Sequence, residues 1–194
     1  MAFQITALLI LAAFYGMYFG KMLSQKRRGI RTDAIAKDKT DRKRYRTELV
    51  MKAATYITPA AEVLSIVSGA SLLPFGVRVA GAVLGISGDV FFGLAAVTMA
   101  DSWRAGVAAN EHRAFVSKGV FKISRNPAFF GFDLVYLGVL LMFFNPVLLV
   151  VSLWAAVMLH LQILQEEKYL AAEFGKRYTA YKKNVRRYLG FKIM

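Results

Sequence analysis

The chain has 194 residues, is 57% hydrophobic, carries a formal charge of +14 and contains no cysteine. An apolar fraction this high, gathered into blocks, excludes an ordinary soluble domain. The missing thiols exclude disulfides, thiolate metal sites, cysteine nucleophiles and a C-terminal prenylation signal, and the two histidines, His112 and His160, are too isolated to argue for a metal centre.

A bilayer-crossing helix needs roughly 20 consecutive, mostly apolar residues. Five stretches answer that description: 2–23, 49–73, 77–100, 128–144 and 146–165. The first has no positive residue before it and is followed by Lys21, Lys26, Arg27 and Arg28, the reverse of a secretory leader, so it reads as a retained transmembrane helix. Residues 24–48 read as a charged, solvated or headgroup-lying link, partly helical before Glu48. The third stretch carries Gly81-x-x-x-Gly85, then Gly88 and Gly93, small residues that let a neighbouring helix approach closely. It also carries Asp89, a carboxylate that needs a partner or a cavity.

Residues 101–127 read as a cytosolic loop, with Trp103 as an interfacial anchor. The fourth and fifth stretches break at Asn145-Pro146 and read as one tight helical hairpin over 128–165. Beyond it, 166–189 reads as an amphipathic helix. Leu170, Phe174, Tyr178, Tyr181 and Val185 share one face, opposite Lys176, Lys182, Lys183 and Arg186. It would lie on the headgroups or close a pocket against the hairpin.

Positive residues crowd into 21–52, 104–125 and 168–192, whereas the connections near 74–76 and 145 carry none. This alternation follows the positive-inside rule for five helices and accounts for the basic charge without nucleic acid. It puts the N-terminus outside and the C-terminus in the cytosol, with anionic headgroups as partners of the basic loops. The fold expected is all-α and polytopic: one membrane domain over 1–194, with three helices and a basic loop in 1–100 and a hairpin core with a cytosolic amphipathic helix in 101–194.

The core also carries a pattern. Gly119-x-Phe121-x3-Arg125-Asn126-Pro127, Gly131, Asn145-Pro146, Glu166-Glu167-x2-Leu170, Phe174-Gly175-x2-Tyr178-x2-Tyr181 and Val185 together resemble the isoprenylcysteine carboxyl methyltransferase family, related to the phospholipid N-methyltransferases. The resemblance covers about 101–190, and the order and spacing of its parts around a membrane hairpin make it specific. It implies an S-adenosylmethionine-dependent enzyme acting on a lipophilic acceptor at the cytosolic face. Carried over by position, it implies Arg125 and Glu167 as catalytic residues. It further implies Gly119, Phe121, Asn126, Pro127, Glu166, Glu167, Tyr178 and Tyr181 around the cofactor, with Arg187 in the covering segment. Asn126 stands where the family usually has histidine.

Chemistry agrees with this reading. A carboxylate pair complements a sulfonium and an ammonium, aromatic rings can contact the sulfonium, and Arg125 can grip a carboxylate with two prongs. Asparagine does not titrate near neutral pH, which favours an acceptor that is already a nucleophile, such as a carboxylate. Asp133, His160 and Trp103 are further candidates for contact with the acceptor. Other readings stay open: a lipid-amine N-methyltransferase, an NADPH-dependent reductase of the sterol type, or a non-catalytic adaptor on anionic lipid. The short chain points to a prokaryotic plasma membrane.

Overall fold

The computed structural model describes residues 1–30, 42–103 and 114–190. Five helices follow in chain order: α1 (Ala2–Arg27), α2 (Arg42–Ser68), α3 (Phe75–Met99), α4 (Pro127–Met142) and α5 (Pro146–Asn184), with short 3-10 turns at Ala100–Ser102 and Gly119–Lys122. Four of them, α1, α2, α3 and α5, are long and apolar enough to cross a membrane. The exposed residues are apolar along whole helix faces, such as Val79, Val83, Ile86, Val90, Leu94 and Val97 on α3. Such faces suit lipid and not water. The protein is therefore a multi-pass membrane protein.

α4 is the exception in length. Its 16 residues span about 24 Å at 1.5 Å per residue, less than the roughly 30 Å of a hydrocarbon core. It stops at Phe143, and the Asn145 side chain caps α5 by accepting from the Leu148 N–H at 2.9 Å. Asn145 also donates to the Ser65 hydroxyl at 3.0 Å, which fixes the antiparallel register of α2 against α5 at the turn end of the hairpin.

The closest contact in the bundle is α3 on α4. A methyl group added to Gly138 would lie 2.6 Å from the Gly85 nitrogen, and one on Gly131 would lie 2.8 Å from the Gly88 oxygen. Gly81, Gly85 and Gly88 thus meet Gly131 and Gly138 backbone to backbone, as the small-residue spacing predicts. Around this seam Phe14, Phe92 and Phe132 interlock, with ring centroids 4.6 to 5.6 Å apart.

Two expectations need correction. The amphipathic segment is not a separate helix over 166–189: α5 continues through it, kinks at Gly175 (φ 47°, ψ −120°) and ends at Asn184. Val185 caps that end, and the chain then runs back as a short strap. Trp103 is not an interfacial anchor; it is 4% exposed and packs edge-on against Tyr18 and Phe92. The link at 24–48 lies partly in α1 and α2, and its middle, like His112 in the 101–127 loop, lies outside the described residues.

Candidate active site

The site forms where the basic ends of the helices meet. Pro127 opens α4, and the residues before it cannot join the helix; the 3-10 turn Gly119–Lys122 brings them in. Gly119 takes φ +58° there, so that the chain can reverse beside Thr98. Ser124, Arg125 and Asn126 are consequently buried just above the start of α4.

Glu167, on α5, organises this turn. Its carboxylate accepts from Arg125 Nη2 at 2.8 Å and Nε at 3.2 Å, from Arg187 Nη2 at 3.0 Å and Nε at 3.2 Å, and from Asn126 Nδ2 at 3.2 Å. The Arg125 and Glu167 side chains are 4% and 5% exposed, so the pair stands only because these bonds replace lost hydration. Glu167 pushes the Arg187 guanidinium still further above its ordinary basicity, which keeps it charged. Arg125 also donates Nη1 to the Val185 carbonyl at 2.8 Å, and its backbone N–H reaches the Arg186 carbonyl at 3.0 Å. Asn126 Nδ2 reaches the Arg187 carbonyl, Tyr181 donates to the Phe121 carbonyl at 2.6 Å, and Gly190 N–H reaches Ile123. The strap after α5 is thereby tied across the turn before α4.

Beside this cluster lies a cavity of about 1170 Å³, part of it open at the mouth. Arg125, Asn126, Pro127, Phe121, Glu166, Tyr178, Tyr181 and Trp103 all line it, eight positions singled out from sequence. Glu166 faces it from α5 and accepts from Gln162 at 3.3 Å, one helical turn away. Phe115 rests against Phe174, Tyr178 and Tyr181, forming an aromatic wall.

The remaining candidates lie elsewhere. Glu167 stands behind the wall, bonded to Arg125 and Asn126, and Gly119 shapes the turn. His160 meets the Tyr188 hydroxyl at 2.6 Å. Burial pushes that phenol up, and the nearby Asp133 adds to the effect. Asp133, His160 and Tyr188 thus form a separate group from the cavity wall. The geometry also leaves Arg125 little room for a two-pronged grip on a ligand, because Nε, Nη1 and one edge of Nη2 are already engaged.

Sequence reasoning missed the contributions of α1 and α2. Tyr18, Met51 and Thr55 line the cavity, as do Phe115, Gln162 and Tyr169. Pro59 supplies a signal that could have been read: it takes away the regular helical donor for the carbonyl of Thr55, a cavity-lining residue four positions back.

The cavity fits a cationic, adenine-bearing ligand in its chemistry, with one carboxylate, an aromatic wall and amide groups. Among curated proteins none matches the chain. The model of the isoprenylcysteine carboxyl methyltransferase (ICMT) family matches residues 81–172, which include the end-to-end α3–α4 seam, the Arg125-Asn126-Pro127 turn and the Glu166-Glu167 pair. Over that segment the chain is similar to the membrane methyltransferases of the isoprenylcysteine carboxyl methyltransferase family, which use S-adenosylmethionine as methyl donor.

Proposed function

We propose that the enzyme esterifies a carboxylate on a lipophilic acceptor at the cytosolic mouth of the α4–α5 hairpin, with the two neighbouring glutamates in different roles. The observation that carries this is the division between them: Glu166 faces the cavity, whereas Glu167 is saturated by Arg125, Asn126 and Arg187. Glu166 takes the cationic part of the cofactor. Glu167 is a positioning residue that holds Arg125, Asn126 and the strap.

When bound, S-adenosylmethionine supplies a methyl group on a sulfonium that a nucleophile displaces, leaving a neutral thioether. The residues around it position and desolvate. Phe115, Phe121, Tyr178 and Tyr181 wall the cavity against water, which strengthens the Glu166 attraction for a cation. Asn126 donates through Nδ2 to Glu167 and to the strap, so its Oδ1 remains as an acceptor toward the cavity. The Nη2 edge of Arg125 that Glu167 leaves open offers one N–H to an acceptor carboxylate. No residue here needs to remove a proton, because a carboxylate is ionised at neutral pH.

The alternation of basic and bare ends supports reading the shorter α4 as a fifth crossing, completed by its connection to α5 with the bilayer thinning locally around it. The N-terminus is outside, and anionic headgroups meet Lys26, Arg27 and Lys176 at the cytosolic face.

Calorimetric titration of S-adenosylmethionine tests the division of roles. Glu166→Gln should weaken binding about tenfold or more, since a hydrogen bond or ion contact to a charged group is worth roughly 1.5–3 kcal/mol. Wild-type affinity in Glu166→Gln would remove the basis for its role.

A further inference from the structure

The end of the bundle opposite the Arg125 turn holds a cation that no anion of the protein answers. Between residues 63 and 88 Arg78 is the only charged side chain, and residues 2–20 and 134–159 carry none. Arg78 stands in the first turn of α3, whose far end, Met99, lines the cavity. The helix between them spans about 32 Å at 1.5 Å per residue, so Arg78 cannot serve the methyl-transfer site.

The guanidinium carbon lies 4.3 Å from the ring centre of Phe3 on α1 and 5.3 Å from that of Phe143 at the end of α4. Phe143 is fully buried and Phe75 braces Phe3 edge-on, so the two rings hold the charge where three helices meet. Ring faces attract a cation but leave its in-plane N–H donors unanswered. Nε is buried without a partner, and no hydrogen bond or ion pair reaches Nη1 or Nη2 among the described residues. Open donors in apolar surroundings are costly, and a long cationic side chain near a helix end lowers that cost by reaching the interface. Helical side chains lean toward the helix N-terminus, and α3 starts at this end, so Arg78 leans toward the headgroups. Pro74 caps α3 without a side-chain bond; the Val77 and Arg78 N–H groups turn back to its carbonyl, whereas those of Phe75 and Gly76 stay open.

We propose that Arg78 is a phosphate site for a phospholipid of the leaflet opposite the methyl-transfer site. The phosphodiester accepts from Nη1 and Nη2 in the two-pronged manner of arginine–phosphate pairs, and the positive end of α3 adds to the attraction. The acyl chains lie along the exposed Val79, Val83 and Val90 of α3. Because Phe143 ends α4 and packs on Arg78, the bound phosphate comes down to the end of that helix. The lipid thereby holds the polar layer at the level where the short α4, about 24 Å long, runs out. The site is independent of the reaction at the other end.

The chain has no cysteine, and Gly76 has open space around it, so Gly76→Cys gives one labelling point two residues from Arg78. The full chain with an environment-sensitive fluorophore there is titrated in dodecyl maltoside with three probes. Dioleoylphosphatidylglycerol carries chains and phosphate, dioleoylglycerol the same chains without phosphate, and glycerol phosphate the phosphate without chains. The fluorophore should respond to dioleoylphosphatidylglycerol at about tenfold lower concentration than to dioleoylglycerol, a preference that Arg78→Gln abolishes. Phe3→Leu, which removes one ring, should shrink the preference about threefold. Lipid bound by the basic clusters lies about 30 Å away and does not reach the label. Equal responses to the two lipids, or a preference unchanged in Arg78→Gln, would overturn the proposal. Saturation by glycerol phosphate at the concentration that suffices for the lipid would overturn it in favour of a free-phosphate site. Should Arg78→Gln fail to fold, the Phe3→Leu comparison decides, and an unchanged preference there counts against the site.

Discussion

Glu166 and Glu167 are adjacent in the chain, yet about 100° of helical rotation separates a cavity lining from a buried clamp. Their substitutions should therefore fail differently. Glu167→Gln leaves Arg125, 4% exposed in its side chain, without its anion, and breaking a buried pair costs about 3–5 kcal/mol. Its melting temperature should fall by several degrees, whereas Glu166→Gln should melt near wild type and lose cofactor affinity instead. Differential scanning fluorimetry beside the calorimetry checks this; equal melting in both variants would contradict it. Asn126 supplies a second residue-scale prediction. With a carboxylate acceptor, ionised above its reference pKa of about 4, Asn126→His should leave the rate nearly flat between about pH 6.5 and 8.5. A rate that rises through the imidazole range near 6.5 would instead mean that the new base is deprotonating an amine or hydroxyl acceptor.

At the scale of elements, the glycine seam holds α4 where its first turn can build the site. A Cβ on Gly138 would meet Gly85 backbone atoms at 2.6 to 2.8 Å, which no side chain can relieve by rotating. Gly138→Ala should force α3 and α4 apart and cost about 1–3 kcal/mol, read as a lower melting temperature. Gly16→Ala, with open space around its Cβ, is the control expected to be neutral. The helices and this seam were legible in sequence because lipid imposes long apolar runs and small residues mark close approach. The Arg125 turn was legible because its residues are local to one motif. The strap was not: once α5 kinks at Gly175, Val185 caps it, and the amphipathic repeat that includes Val185 does not reveal the end.

For the whole molecule, the charge pattern and the cavity agree on one face. The basic ends of α1 and α5 and the basic start of α2 lie on the side where Arg125, Glu166 and Tyr178 converge before α4, and Arg28 pairs with Asp101 at 2.7 Å to tie the end of α1 to the turn after α3. Reporter fusions after residues 45 and 190 should both read cytosolic. A signal from the opposite side at either position would separate the turn from its partners and defeat the topology. The central claim is carboxyl methylation at this face. Purified protein should transfer labelled methyl from S-adenosylmethionine to an isoprenylcysteine with a free carboxylate. The label should be released as volatile methanol on treatment with base, and Glu166→Gln should raise the KM for S-adenosylmethionine. A label that resists base, as an N-methyl group would, or transfer unchanged in Glu166→Gln, would contradict the account.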